Sequence, residues 1–244
     1  MTENHEPVDH PTQRITVEKN GPYVVQGHVP LVRKTQIVSE HGEPMTWQKG
    51  ETLPTGETYR LCRCGQSGNK PFCDDSHLRC GFDGTETAET NTTAERRVIY
   101  KGGTGIVVRR DYALCMEAGF CGNRLTNVQK MVRRTDDTQV RAQVIAMIER
   151  CPSGSYTYSI EAEGAEVEPD LPQQVAVTVE ITSEGPIAGP LWVTGRIPLA
   201  RSDGQPFEIR NRVTLCNCGR SKIKPLCDGS HRTPVEPGEQ ESGQ

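Results

Sequence analysis

The chain has few of the residues from which large hydrophobic cores are built. Apolar residues make up 34% and aromatic residues 5% of its 244 positions, whereas glycine and proline number 24 and 17. A chain of this length has room for two or three small domains. Small, loop-rich domains with so little apolar material need another source of stability, and bound metal is one such source.

Long apolar runs are also missing. No stretch is long enough to span a bilayer, and the N-terminal sequence MTENHEPVDHPTQRITVEKN lacks the apolar core of a secretory signal. Ten cysteines would otherwise suggest a secreted disulfide framework. We expect instead a soluble protein of a reducing compartment, the cytoplasm, with thiols bound to metal and no membrane partner.

The sequence has no strong charge imbalance and no signature of catalysis. Its formal net charge of −4 gives no general attraction to nucleic acid, so we expect no such partner. A nucleophile–base pair, a phosphate loop and a nucleotide fingerprint are all missing, which predicts a protein that is not an enzyme. Basic residues do surround two cysteine-rich stretches: Arg60, Arg63, Lys70, Arg210, Arg212, Arg220, Lys222 and Lys224. They are either ordinary surface or a contact for an acidic partner or an anionic cofactor.

Two copies of one cysteine and histidine spacing, C-x-C-x8-C-x3-H, dominate what is present. Residues 61–77 read LCRCGQSGNKPFCDDSH, and residues 215–231 read LCNCGRSKIKPLCDGSH. The candidate ligands are Cys62, Cys64, Cys73 and His77 in the first Cys–His site, and Cys216, Cys218, Cys227 and His231 in the second Cys–His site. Three thiols and an imidazole make a metal site in outline, and these ligand types alone leave zinc and an iron–sulfur cluster equally open.

The residues of both stretches resemble the motif of the CDGSH iron–sulfur family, the mitoNEET-like proteins. Residues 216–231 match the motif throughout, and residues 62–77 depart from it once, where Asp75 replaces glycine. The resemblance implies a [2Fe–2S] cluster in each site, with the first two cysteines on one iron and the third cysteine and the histidine on the other. Because aspartate tolerates a left-handed backbone, we expect the first site to keep its cluster. Asp74 and Asp228 follow the third cysteine and suit an N-cap or Asx-turn acceptor.

A longer repeat surrounds each motif. Residues 21–33, GPYVVQGHVPLVR, match residues 189–201, GPLWVTGRIPLAR. Their β-forming residues predict a short antiparallel sheet in each half that leads into the metal-binding loop. Residues 36–57 are additional to the first half and predict a longer hairpin loop.

A different module lies between the two copies. It contains Cys115, Cys121 and Cys151, a hairpin pattern around residues 98–108, a helical pattern before Cys151 and a strand at residues 156–160. This order resembles the single-cluster bacterial ferredoxins, including the divergent mono-cluster domain, although Ala118 occupies the place of the middle cysteine. The three cysteines form the candidate middle site.

With three thiolates, a [3Fe–4S] cluster is the direct interpretation of the middle site. The alternatives are a [4Fe–4S] cluster completed by Glu117, water or a distant residue, and three buried free cysteines. Cys80 is the one cysteine left without a site. It could be a spare thiol, a packing residue or the distant ligand of the middle cluster, and we expect a packing residue.

The predicted fold class is therefore α+β and rich in β-strand, with two CDGSH-type units flanking a small ferredoxin-like module. The predicted parts are a tail at 1–14, a first unit at 15–82, a linker at 83–95, the ferredoxin-like module at 96–160, a linker at 161–174, a second unit at 175–232 and a tail at 233–244. Small members of the resembled family dimerise, so two copies in one chain suggest an internal pseudo-dimer and a monomeric protein.

The predicted function is one-electron transfer, with an unknown redox partner. A histidine ligand makes a [2Fe–2S] core less negative than four thiolates do. Its reduction potential should then lie above the roughly −400 mV of plant-type centres. Histidine can also take a proton and leave the iron, which suits cluster storage, delivery to an apo iron–sulfur acceptor or redox and pH sensing. A zinc-stapled interaction protein is the third hypothesis.

Overall fold

A computed structural model describes residues 13–100, 102–161 and 163–234. The predicted tails at 1–14 and 233–244 thus lie mostly outside the described residues. The fold is α+β and rich in β-strand, as the sequence predicts.

The elements follow one another in three groups. The first group is β1 (Arg14–Val17), β2 (Tyr23–Gln26), β3 (Leu31–Val38), β4 (Pro44–Leu53) and β5 (Thr58–Leu61). The second is α1 (Thr93–Arg96), β6 (Val98–Tyr100), β7 (Val107–Arg110), α2 (Val128–Met131), α3 (Thr138–Glu149) and β8 (Tyr156–Ser159). The third is β9 (Gln174–Thr182), β10 (Gly185–Thr194), β11 (Leu199–Ala200) and β12 (Arg212–Leu215).

The sheets of the two CDGSH-type units contain strands from each other's unit. Their strand orders are β11-β1-β2-β5 and β12-β10-β9-β3-β4. Strand β11 pairs parallel with β1, with Leu199 opposite Ile15. Strand β3 pairs parallel with β9 in the same manner, with Leu31 opposite Val175. The first sheet therefore contains β11 from the second unit, and the second sheet contains β3 and β4 from the first unit. Each predicted antiparallel sheet includes one parallel pair at this junction.

One hydrophobic core joins both units as a result of this exchange. Its buried members come from both ends of the chain and include Ile15, Val17, Tyr23, Val25, Leu31, Leu61, Val175, Leu191, Val193, Leu199 and Leu215. Burying a side chain of this size contributes about 1.5–3 kcal/mol. Separating the units would expose many of these side chains at once, so the two ligand loops are held against a common support.

The prediction of a loop at residues 36–57 is wrong. Strand β3 continues through Val38, and β4 pairs with it in antiparallel register, including Gln36 opposite Trp47. Most side chains of β4 are exposed on both faces. A strand of this kind lacks the alternation of apolar and polar residues by which strands are recognised in a sequence.

The middle module has its own sheet and core. Strands β6, β7 and β8 form it, and α3 packs Val144 and Ile148 against it, both fully buried. The predicted hairpin, helix and final strand are confirmed here. Asp137 caps α3 by accepting a hydrogen bond from the Gln139 amide at 2.8 Å.

Both segments predicted as linkers make specific contacts. In the segment 83–95, the amides of Thr87 and Ala88 donate to the Lys224 carbonyl at 2.9 and 3.0 Å. In the segment 161–174, the Val167 amide donates to the Tyr158 carbonyl at 2.7 Å, and Glu168 pairs with Arg212 at 3.1 Å. These contacts fix the middle module to the second unit.

Candidate metal centres

Each Cys–His loop begins where a strand ends and folds back onto it. The Cys62 amide donates to the Pro71 carbonyl at 2.8 Å, directly after β5. The Cys216 amide donates to the Pro225 carbonyl at the same distance, directly after β12. These equivalent bonds bring the first pair of cysteines next to the third cysteine in both copies.

The predicted ligands pair within each loop. The sulfur atoms of Cys62 and Cys64 lie 3.8 Å apart, and Cys73 Sγ lies 3.5 Å from His77 Nδ1. In the second site, the two corresponding distances are 3.6 Å between the sulfurs of Cys216 and Cys218 and 3.5 Å between Cys227 Sγ and His231 Nδ1. Two donors about 2.3 Å from one tetrahedral ion lie about 3.8 Å apart, so each pair fits one iron or zinc ion.

The turn before each histidine has the expected chemistry. Asp74 Oδ1 accepts from the Ser76 amide, and Asp228 Oδ1 accepts from the Ser230 amide, both at 3.0 Å. The next residue is left-handed in each turn, with φ 64° at Asp75 and φ 89° at Gly229. Asp75 therefore adopts the backbone expected of the glycine that it replaces. Hydrogen bonds from Ser76 and the Gly68 amide lower the pKa of Asp74.

Without metal, several of the predicted ligand thiols keep their protons, which a bound metal would displace. Burial raises the pKa of the Cys64 and Cys227 thiols to about 12. At the second site, a hydrogen bond from Cys216 lowers the pKa of Cys218 to about 5. Metal binding must then release the remaining protons, because the thiolate is the form that binds.

The surroundings of the two histidines differ. His231 Nε2 lies 3.1 Å from Glu180 Oε2, and both side chains are 3% exposed. The same carboxylate oxygen accepts from Arg232 Nη2 at 2.7 Å. Among the residues that the structure describes, His77 Nε2 has no such partner, and Cys73 is half-buried whereas Cys227 is 2% exposed. Sequence analysis missed Glu180, which lies far from the motif on the β9–β10 hairpin.

Asp75 adds a carboxylate to the first site. Its side chain lies 3.8 Å from Cys73 Sγ and pairs with Arg60 at 3.0 Å. The ligand atoms of Cys73, Asp75 and His77 all lie within 4.8 Å of one another. The first site therefore has an additional, partly exposed acidic group beside its outer pair of ligands.

The two Cys–His loops touch each other. A Cβ placed on Gly65 would lie 2.4 Å from the Cys218 carbonyl oxygen, and one placed on Gly219 would lie 2.4 Å from that of Cys64. Only glycine permits this approach, and both glycines are left-handed as well. The first unit also supports the second loop, because the Tyr23 hydroxyl donates to the Cys216 carbonyl at 2.7 Å.

Three cysteines converge at the middle site. They line one cavity with neighbouring residues of the loop: Cys115, Cys121, Cys151, Glu117, Ala118, Phe120 and Ser153. Arg110 Nη2 approaches Cys115 Sγ at 3.5 Å, which would favour a bound thiolate. Ala118 and Glu117 both reach the cavity wall, so the predicted vacant position and the alternative carboxylate ligand are both close by.

Cys80 is exposed, so the prediction that it is a packing residue is wrong. It does not line the cavity of the middle site. Among the basic residues near the motifs, Arg63 and Arg212 are 1% exposed and serve the fold instead of an acidic partner. Arg63 Nη1 donates to the Glu18 carbonyl at 3.0 Å, for example. Lys70, Arg220 and Lys222 remain on the surface.

Comparison with known proteins places this chain among iron–sulfur proteins. Residues 20–78 and 188–232 match the family described as iron-binding zinc finger, CDGSH type. Residues 100–161 match the family described as divergent 4Fe-4S mono-cluster. A mouse protein named CDGSH iron-sulfur domain-containing protein 3, mitochondrial, is 62% identical over 26 residues, which are 11% of this chain and 19% of that protein. No solved structure matches the chain. None of the described helices is long and apolar enough to cross a membrane.

Proposed function

Because this chain consists of two CDGSH-type segments around a divergent mono-cluster segment, we propose that it transfers single electrons through bound iron–sulfur clusters. Each Cys–His site would hold a [2Fe–2S] cluster. The middle site would hold a [3Fe–4S] cluster, or a [4Fe–4S] cluster completed by a ligand other than cysteine. The clusters supply the redox chemistry, and the protein acts without catalysing a reaction of its own.

The repetition of the ligand geometry carries this proposal. Both Cys–His sites present a sulfur pair and a mixed sulfur–nitrogen pair at nearly equal separations. The shared β-core fixes both loops, and their amides donate to the ligand sulfurs, as Asp75 does to Cys73 Sγ at 3.4 Å. Such hydrogen bonds stabilise negative charge on sulfur, which helps a cluster to accept an electron.

Metal analysis of anaerobically purified protein tests the proposal. We expect a red-brown protein with iron, acid-labile sulfide and little zinc, and a redox titration with low-temperature EPR should show reversible one-electron steps. Colourless protein with stoichiometric zinc and no sulfide would establish the zinc-stapled alternative, because the donor pairs also fit zinc.

The half-exposed first site favours cluster storage, delivery or sensing as a second candidate function. In the described part of the chain, His77 Nε2 has no carboxylate partner like that of His231, and a protonated imidazole leaves iron. Mixing the protein with an apo-ferredoxin tests this candidate. Transfer of one cluster per chain within minutes would support delivery, whereas retention of all clusters would leave electron transfer as the function.

Three further features belong to the proposal. We place the protein in the cytoplasm, although the mouse relative is named as mitochondrial. We propose a monomer whose two units act as an internal pseudo-dimer, because each unit completes the other's sheet. Its partner would be a redox protein or an apo iron–sulfur acceptor, with neither nucleic acid nor membrane involved.

A further inference from the structure

A hydrogen-bonded chain connects the second Cys–His site with the loop of the middle site. His231 Nε2 contacts Glu180 Oε2 at 3.1 Å, and Arg232 Nη2 donates to the same oxygen at 2.7 Å. The second terminal nitrogen of the same guanidinium, Arg232 Nη1, donates to the carbonyl of Met116. Met116 follows Cys115 in the chain. A predicted ligand of one cluster is thus joined to a predicted ligand of another through two side chains.

We propose that Glu180 and Arg232 form a bridge that couples the second Cys–His site electronically to the middle site. This inference rests on the proposed function. In the exchange, one site is oxidised by one electron and the other is reduced by one. No bond forms or breaks, and both reactants are held by the same chain.

The carboxylate end of the bridge is buried, and the Arg232 side chain is 26% exposed. Glu180 is 2% exposed although it carries a carboxylate, and it lies on a β9–β10 hairpin that is longer than its counterpart β1–β2. Charged residues are almost never buried unless they are paired, and Glu180 is paired with Arg232. The second loop also approaches the middle loop closely at Gly229, because a Cβ placed there would lie 3.0 Å from the Met116 carbonyl oxygen.

The extended β3–β4 hairpin holds the middle loop from its other side. Glu43 Oε1 accepts from the Arg124 amide at 2.9 Å. The rings of Trp47 and Phe120 have centroids 5.6 Å apart, and Pro44 lies against Gly119. This segment, which sequence analysis left without a role, fixes the middle loop against the second site.

The bridge is specific to the second site. At the first site, the position of Gly229 is occupied by Asp75, whose partner is Arg60 and not a residue of the middle loop. Within the described part of the chain, His77 Nε2 has no hydrogen-bond partner. We therefore expect the middle site to exchange electrons directly with the second site, while the first site reaches it only through the second.

The test measures electron equilibration in the full-length, cluster-loaded chain after flash photoreduction. Arg232→Met removes the bridge and should slow the equilibration between the [2Fe–2S] and middle-site signals several-fold. Arg232→Lys keeps the positive charge but cannot donate from a planar fork to both acceptors. It should therefore slow the equilibration while the reduction potential of the second centre stays as in the wild type.

Arg220→Met is the matched control for Arg232→Met. Arg220 binds the same loop through the carbonyls of Thr233 and His231, at 2.7 and 3.3 Å, and within the described residues it has no hydrogen bond to the middle loop. Its loss removes the same charge and should leave the equilibration rate unchanged.

Substitutions of Glu180 test the other end of the bridge independently. Glu180→Leu removes both hydrogen bonds and should slow the equilibration as Arg232→Met does. Glu180→Gln keeps an oxygen that can accept both bonds. Its lost charge shifts the potential, so the rate should match the wild type when the two are compared at the same difference in potential between the centres.

Iron and sulfide content separates the possible failures. Wild-type rates in Arg232→Met and Glu180→Leu, with all clusters present, would overturn the bridge and leave the proposed function intact. A wild-type chain without iron and sulfide would overturn both.

Discussion

The two Cys–His sites share their ligand spacing and their ligand distances, but they differ in what surrounds the histidine. In the second site, the imidazole is buried and its Nε2 atom contacts Glu180. In the first, Cys73 is half-buried whereas its counterpart Cys227 is 2% exposed, and the adjacent carboxylate, Asp75, lies beside the cysteine ligand instead. The same motif can therefore give one protected centre and one open centre, because the motif fixes the ligands and the rest of the fold fixes their environment.

The middle site extends this comparison, and it should show the largest change when a ligand is added. Ala118→Cys places a thiol at the wall of the cavity that contains Cys115, Cys121 and Cys151. We expect the cluster to shift to a [4Fe–4S] form, with more iron per chain and a changed EPR signal. Ala118→Ser is the control of similar size. Identical iron content and spectra in all three proteins would show that residue 118 is not the vacant position.

Exchanging the histidines should change the two Cys–His sites by different amounts. A thiolate binds iron more strongly than a protonatable imidazole, so each His→Cys variant should retain its cluster longer at about pH 5.5, below the free-histidine pKa of about 6.5. We expect His77→Cys to slow cluster loss by about tenfold and His231→Cys by less, because Glu180 already supports His231. Absorbance against time measures both rates.

A redox titration of the same variants gives a second readout. The additional negative charge opposes reduction, so the potential should fall at the exchanged site alone. Equal decay rates and unchanged potentials in both variants would mean that neither histidine is a ligand.

Exchanging the turn residues should have a smaller effect that depends on the site. Gly229→Asp forces a side chain into a left-handed turn, at a cost of about 1–2 kcal/mol, and directs it at the Met116 carbonyl. Asp75→Gly removes the same strain but also the ion pair with Arg60, which is exposed and contributes about 0–1 kcal/mol. The thermal midpoint should therefore fall for Gly229→Asp and hardly change for Asp75→Gly. Equal changes of the thermal midpoint in the two variants would contradict the proposed difference between the two turns.

The stability of the metal-free chain should depend on pH through the first site. Burial raises the pKa of the Cys64 thiol from an ordinary value of 9.0 to about 12. The folded chain then holds a proton that the unfolded chain releases, so stability is complete below pH 9 and falls as the pH rises toward 12. Thermal midpoints across this range measure the loss, and Cys64→Ser should lessen it. A thermal midpoint that stays constant across this pH range in both the wild type and Cys64→Ser would contradict the raised pKa of the Cys64 thiol.

The ligands and the local turns could be predicted from the sequence because each is encoded over a few residues. Asp75 illustrates this, since its tolerance of a left-handed backbone is a property of the residue itself. Helix α3 could also be predicted, because Val140, Val144 and Ile148 form one apolar stripe.

The strand exchange could not be predicted in the same way. The two copies have the same apolar pattern, so the sequence does not specify which sheet β3 or β11 joins. The role of Glu180 could not be predicted from the sequence either, because an isolated acidic residue in a strand ordinarily faces solvent. Only the packing of β9 against the second loop brings it to His231.

The loss of clusters from the wild-type protein during mild acidification tests the central claim most directly. The claim is that two sites with one ligand set differ in protection. The account predicts that, beside the decay of the middle cluster, the [2Fe–2S] signals decay in two phases, of which the fast phase disappears in Cys62→Ser and the slow phase disappears in Cys216→Ser. A single phase, or a fast phase that belongs to the second site, would contradict it.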